Sequence, residues 1–210
     1  DLDNDGIVLG PVIEMNGGYM HDIAGNHLIP DVSGSFTGVV VDGVVPTVSS
    51  VSVPANGYHH LGDVLSFTVN TSEDVTVTGI PTLDVIIGAD TRSATYVSGS
   101  TTNALVFNYT VQTVDLDMDG IALGALHLNG GALQGDVGND MDLTLNNVAP
   151  TTGVFVNTQI PTVTLSTPAT MVNGQFTVTA TFSEKVTVLT GSDFVFTNCT
   201  LSGLTSADNI

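Results

Sequence analysis

The sequence predicts an array of all-β sandwich repeats, and three observations carry that expectation. A block of roughly 114 residues occurs more than once along the chain. Within the block, apolar and polar side chains alternate with the period of two that marks half-buried strands. Gly, Asn, Asp and Pro punctuate the intervals between the alternating runs.

The repetition is direct. Residues 1–10, DLDNDGIVLG, recur at 115–124 as DLDMDGIALG, an offset of 114. Asn16-Gly17-Gly18 returns as Asn129-Gly130-Gly131. Asp22-Ile23-Ala24-Gly25-Asn26 reads as returning in Asp136-Val137-Gly138-Asn139 with one residue deleted. Pro46-Thr47-Val48 returns as Pro161-Thr162-Val163, and Ser72-Glu73-Asp74-Val75-Thr76-Val77 as Ser183-Glu184-Lys185-Val186-Thr187-Val188. The period suits whole domains strung head to tail rather than solenoid units. The expected layout is the C-terminal part of one repeat at 1–45, a complete repeat at 46–157, and the N-terminal part of a further domain at 158–210. The boundary segments 41–46 and 156–161 are short and end in Pro, which fixes φ just before a strand begins. Such linkers suit a semi-rigid rod, since flexible connections use longer Gly/Ser stretches.

In the complete repeat, Leu65, Phe67 and Val69 alternate with Ser66, Thr68 and Asn70. Leu105, Phe107, Tyr109 and Val111 do the same, as do Met141, Leu143 and Leu145. Runs at 48–53, 82–87, 92–97 and 121–128 bring the expected count to seven strands. No window of helical length carries a 3.6-residue apolar stripe. Seven alternating strands in about 110 residues predict an immunoglobulin-like β-sandwich. With no Trp and one cysteine, it is not of the antibody type.

Composition narrows the function classes. Twenty-one acidic residues face two basic ones, Arg92 and Lys185, for a net charge of −19. Yet 42% of residues are hydrophobic and mean hydropathy is +0.34, so the chain has the apolar content for a core and does not read as disordered. Two cations cannot neutralise a phosphate backbone, which argues against nucleic acid as a partner. No apolar run reaches membrane-spanning length, so membrane insertion is not expected. Cys199 alone excludes an internal disulfide framework and is expected in a core or strand. Without a signal peptide, and opening on Asp1, the chain reads as an internal fragment.

The sharpest chemical motif is Asp-x-Asp-x-Asp-Gly, at Asp1, Asp3, Asp5 and again at Asp115, Asp117, Asp119. Alternate carboxylates on a tight loop converge, as at the start of a calcium-binding EF-hand loop. The twelfth position, however, is Val12 or Leu126 instead of Glu, so neither loop is an EF-hand. Two readings stand open: part of a Ca²⁺ shell completed from elsewhere, or an acidic turn in which Asp bonds its own backbone. In a head-to-tail array these loops at the end of one domain face the Ser72-Glu73-Asp74 and Asp136-to-Asn139 loops of the next. An interdomain site would then combine Asp1, Asp3 and Asp5 with Asp42 and Glu73, and its copy would use Asp115, Asp117, Asp119, Asn157 and Glu184. A variant confines the site to Glu73, Asp136 and Asn139 within one domain. The five histidines, His21, His27, His59, His60 and His127, show no zinc spacing, and no nucleophile elbow, Walker loop or His-Glu-x-x-His occurs. The sequence is therefore read as non-catalytic.

The stretch from Pro46 to Asn157 resembles the bacterial Ig-like tandem repeats of large RTX-type adhesins and related cell-surface proteins. The resemblance rests on Pro46-Thr47-Val48 with Val51-Ser52-Val53-Pro54, the Ser72-Glu73 corner, Thr95-Tyr96-Val97-Ser98-Gly99-Ser100, Leu105-x-Phe107-x-Tyr109-x-Val111, the Asp115 loop and the Asn129-Gly130-Gly131 turn. Thr181 to Val186 and Gly191 to Phe194 look like a related but distinct subtype. The resemblance implies an extracellular stalk that holds a distal domain away from the bacterial surface, in adhesion or biofilm, with Ca²⁺ stiffening the rod. Its partners would be neighbouring repeats of the same chain, with a host-cell or matrix ligand engaged by other domains. The alternative is a carbohydrate- or protein-binding module, including an accessory domain of a secreted hydrolase, for which Tyr58 and Tyr19 are the candidate stacking rings.

Overall fold

The computed structural model describes residues 2–3, 5–31, 38–167 and 173–205. The chain forms two units, Asp1–Thr158 and Gln159–Ile210. In the first, β1 (Leu2–Asp3) and β2 (Val41–Asp42) precede β3 (Val48–Ser52), β4 (Gly57–His59), β5 (Val64–Thr78), β6 (Thr82–Ile87) and β7 (Asp90–Ser98). They are followed by β8 (Thr102–Thr110), β9 (Leu116–Asp117), β10 (Ala122–His127), β11 (Ala132–Gln134) and β12 (Val154–Asn157). The second unit holds β13 (Val163–Ser166), β14 (Thr179–Phe182) and a 3₁₀ turn at Gly191–Asp193. Among the described residues there is no α-helix, and the chain is all-β as the sequence predicts.

The main sheet runs β10-β6-β7-β8-β5-β11, with β3 also on β5, and a smaller sheet runs β4-β12-β9. The period-two pattern sets which side chains enter the core. Leu65, Phe67 and Val69 of β5 are fully buried, and across the ladder Phe67 lies opposite Phe107. Leu83, Val85 and Ile87 of β6 and Val154 and Val156 of β12 join the same cluster. Each such side chain contributes about 1.5–3 kcal/mol on burial.

Several expectations change. Ser72-Glu73-Asp74 is not a loop but a stretch inside the 15-residue β5, where the register against β8 shifts between Asn70 and Val75. The buried Thr71 turns its hydroxyl onto the Glu73 carbonyl at 2.6 Å, which holds this bulge. Met141 to Leu145 forms no strand. Met141 is buried and Leu143 and Leu145 pack against the core, and residues 142–149 follow residues 46–51 through the isolated parallel bridges Thr47↔Asp142 and Val51↔Val148 and the bonds from Asp142 N to Pro46 O, Val51 N to Asn147 O and Ala149 N to Val51 O. The last strand is instead β12, so Val156 and Asn157, read as linker, are strand residues.

A further change concerns repeat register. The Gln134↔Asp140 bridge matches His21↔His27, and Gly138 N bonds Gly135 O at 2.9 Å as Gly25 N bonds Asp22 O at 3.0 Å. Gly135 therefore occupies the place of Asp22 and Asp136 that of Ile23, with no residue deleted.

The repeats also share a clasp. Thr47 N donates to Ser72 Oγ at 3.0 Å while Ser72 N donates to Thr47 O at 2.9 Å. Within the second unit, Thr162 N donates to Ser183 Oγ and Ser183 N to Thr162 O, both at 2.9 Å. In that unit Cys199 is exposed, against the expectation of a buried thiol.

Candidate functional site

The acidic loops fold by satisfying their own backbone. In the first copy, Asp3 Oδ1 accepts from Gly6 N at 2.8 Å and Asp5 N at 3.3 Å. In the second, Asp117 Oδ1 accepts from Gly120 N at 2.7 Å and Asp119 N at 3.2 Å, while its Oδ2 accepts from Gly88 N at 2.8 Å. Gly6 and Gly120 carry positive φ of 102° and 108°, a conformation side chains resist. Asp5 and Asp119 are exposed, and Asp1 lies outside the described residues.

Asp115 has a different environment. Its side chain is fully buried, and it accepts from Arg92 Nε at 2.8 Å, Tyr109 Oη at 2.6 Å and Gln112 N at 2.8 Å. Arg92 reaches on to Asp90 at 3.1 Å. Burial, reinforced by the bond to Asp115, pushes the Tyr109 hydroxyl up to about 12. The bond to Asp115 also holds the Arg92 guanidinium above its ordinary value. Both oxygens of Asp115 thus serve as internal acceptors. The donor chemistry of these loops fits an Asp-stabilised turn more closely than an ion cage.

A second acidic group forms where residues 1–45 meet the following repeat. An open cleft of about 300 Å³ is lined by Leu2, Asp42, Val44, Ser72 and Glu73. Asn139 spans the connection, its Nδ2 donating to Asp42 O at 3.0 Å and Val44 O at 2.9 Å. Asp42 Oδ1 accepts from Val44 N at 2.9 Å and tightens the same turn. Glu73 Oε1 is buried without a hydrogen-bond partner. Its carboxyl titrates above the usual glutamate value, first because burial opposes the charge and then because Asp42 and Asp136 repel it. The structure therefore brings together Asp42, Glu73, Asp136 and Asn139. Their oxygens are the hard donors Ca²⁺ takes, and Glu73 Oε1 is a buried one with no hydrogen-bond partner. Among the described residues, however, no three His, Cys, Asp or Glu side chains are gathered as a ready metal cage.

Asn157 closes β12 opposite Leu116, and Glu184 follows β14 in the second unit. Two features escaped sequence reasoning. The Arg92–Asp115–Tyr109 network was hidden because carboxylate spacing looks the same for a turn and for a metal loop. The partly exposed Tyr58 and Phe155, with ring centroids 5.2 Å apart, were missed as a pair because β4 and β12 are too short to show alternation.

No helix among the described residues is long and apolar enough to cross a membrane. No curated protein and no solved structure matches the chain. Residues 157–210 match the model of a family described as Bacterial Ig-like domain, in keeping with the all-β architecture found along the chain.

Proposed function

We propose that the chain is a non-catalytic spacer, a stalk segment of a large secreted bacterial surface adhesin. The observation that carries this reading is the junction before Pro46, where the Asn139 amide bonds two linker carbonyls, those of Asp42 and Val44. A connection fastened to the body of the repeat transmits orientation from one repeat to the next, and that is what a spacer does. Calcium at Asp42, Glu73 and Asp136 would stiffen it further by bridging three carboxylates and giving Glu73 Oε1 a partner. Small-angle scattering on the chain, with Ca²⁺ and then with chelator, tests both parts. The spacer reading expects an extended particle in either buffer, and the calcium reading expects a smaller spread of dimensions with Ca²⁺. A compact or freely jointed particle overturns the first, and identical profiles overturn the second.

A second reading is favoured by Tyr58 and Phe155. Tyr58 is 59% exposed and tilts 38° to Phe155, a surface on which a sugar ring could stack. Glycan-array binding by the chain that is lost in Tyr58→Ala would support a carbohydrate-binding module.

A further inference from the structure

We propose that the hairpin Tyr19–Ile29 is a two-imidazole chelate for a late first-row divalent transition ion, Cu²⁺ above all, formed by His21 and His27. The two residues face each other as an isolated antiparallel pair. The flanking bonds, Asp22 N to Asn26 O at 3.0 Å and Leu28 N to Met20 O at 2.8 Å, make it a non-hydrogen-bonded pair. In such pairs the side chains approach most closely, with Cβ atoms about 4.5–5.5 Å apart. Both rings lie on one face, because the Tyr19 ring sits 6.1 Å from His21 and 5.2 Å from His27.

Two further observations favour a ligand. His21 Nδ1 lies 2.9 Å from the Asp22 carbonyl. A carbonyl only accepts, so Nδ1 carries the proton and Nε2 keeps the lone pair. This is the orientation that backbone carbonyls impose on metal-bound histidines. The equivalent pair in the complete repeat, Gln134 and Asp140, is joined side chain to side chain at 2.9 Å, so groups placed at these two positions do meet. The turn beneath is rigid, since Asp22 accepts from Ala24 N, Asn26 N and Asn26 Nδ2 at 2.8–2.9 Å. Two imidazoles suit copper, nickel and zinc, with copper bound most tightly, and solvent fills the remaining positions. The site takes imidazole nitrogens and a borderline ion, so it is independent of the oxygen-lined Glu73 group.

The test is Cu²⁺ titration of the chain, followed by calorimetry and electron paramagnetic resonance. One equivalent is expected to bind with hyperfine structure from two nitrogens. The variant His21→Gln with His27→Asp installs the pair already tolerated in the complete repeat, so the hairpin persists. Loss of a group that merely hydrogen-bonds a ligand weakens metal sites by about 10–100-fold, and loss of both ligands is expected to do at least as much. The pair His59→Gln with His60→Gln should leave the titration unchanged. Equal binding by the first variant, loss of binding in the second, or a one-nitrogen spectrum would each overturn the site.

Discussion

The side-chain amide of Asn139 donates to the backbone carbonyl of Asp42 from 97 residues away, at 3.0 Å, and with its other proton to Val44 O. Asn139→Ala removes both bonds and should cost about 1 kcal/mol for each. Asn139→Asp should cost more, because it turns a carboxylate toward two carbonyls. Hydrogen exchange at residues 41–45 checks this, with faster exchange expected in both variants and little change at β6 and β8.

The buried Asp115 should be the most sensitive polar position in the repeat. Asp115→Ala strands Arg92 and Tyr109 and is expected to lower unfolding free energy by about 3–5 kcal/mol. Tyr109→Phe removes one donor and should cost about 1–3 kcal/mol. Because the two share a bond, the double variant should lose less than the two losses added together. Urea denaturation followed by circular dichroism measures all three.

Two glycines of similar φ should respond differently to Ala. At Gly120, with φ 108°, a Cβ would lie 2.5 Å from Thr152 Cα and 2.8 Å from Thr151 O. At Gly138, with φ 89°, it would meet open space. Gly138→Ala should cost only the left-handed penalty, about 1–2 kcal/mol. Gly120→Ala adds backbone displacement and should exceed about 3 kcal/mol. Thermal unfolding of the two variants separates the cases.

Glu73 gives the pH dependence a sign. Its folded value is raised above 4.5 by burial and by Asp42 and Asp136, so the folded chain keeps the proton longer than the unfolded chain does. Between 4.5 and the raised folded value, the folded state binds more protons, and Glu73's contribution to stability falls as pH rises through that window. Glu73→Gln should remove this slope and raise stability at neutral pH. Unfolding midpoints across pH in calcium-free buffer provide the measurement.

Long strands were legible because burial imposes alternation, as Leu65, Phe67 and Val69 show. The Thr47–Ser72 clasp was visible only as two motifs that recur together, since nothing local says that their amides exchange partners. β12 was invisible for the opposite reason. Val154-Phe155-Val156-Asn157 is too short to establish a period, and its parallel partner lies almost a hundred residues earlier. At the site, residue type announced acidity but not destination. Asp115 turned inward to the chain's Arg92, whereas one oxygen of the half-buried Glu73 was left without a donor. Burial and partners depend on tertiary contacts, which a spacing pattern does not encode.

The parallel pairing of β4 with β12 has a mechanical consequence. Gly57, Tyr58 and His59 lie opposite Val154, Phe155 and Val156, and Gly57 N donates to Gly153 O at 2.8 Å. Tension reaching β4 from its amino end and β12 from its carboxyl end draws the two strands in opposite directions along their shared axis. The bonds between them are then sheared and must rupture together, whereas a hairpin pulled at its open end unzips bond by bond. Resistance to pulling is a matter of rupture rate rather than equilibrium stability. Under that pull the short ladder acts as a latch.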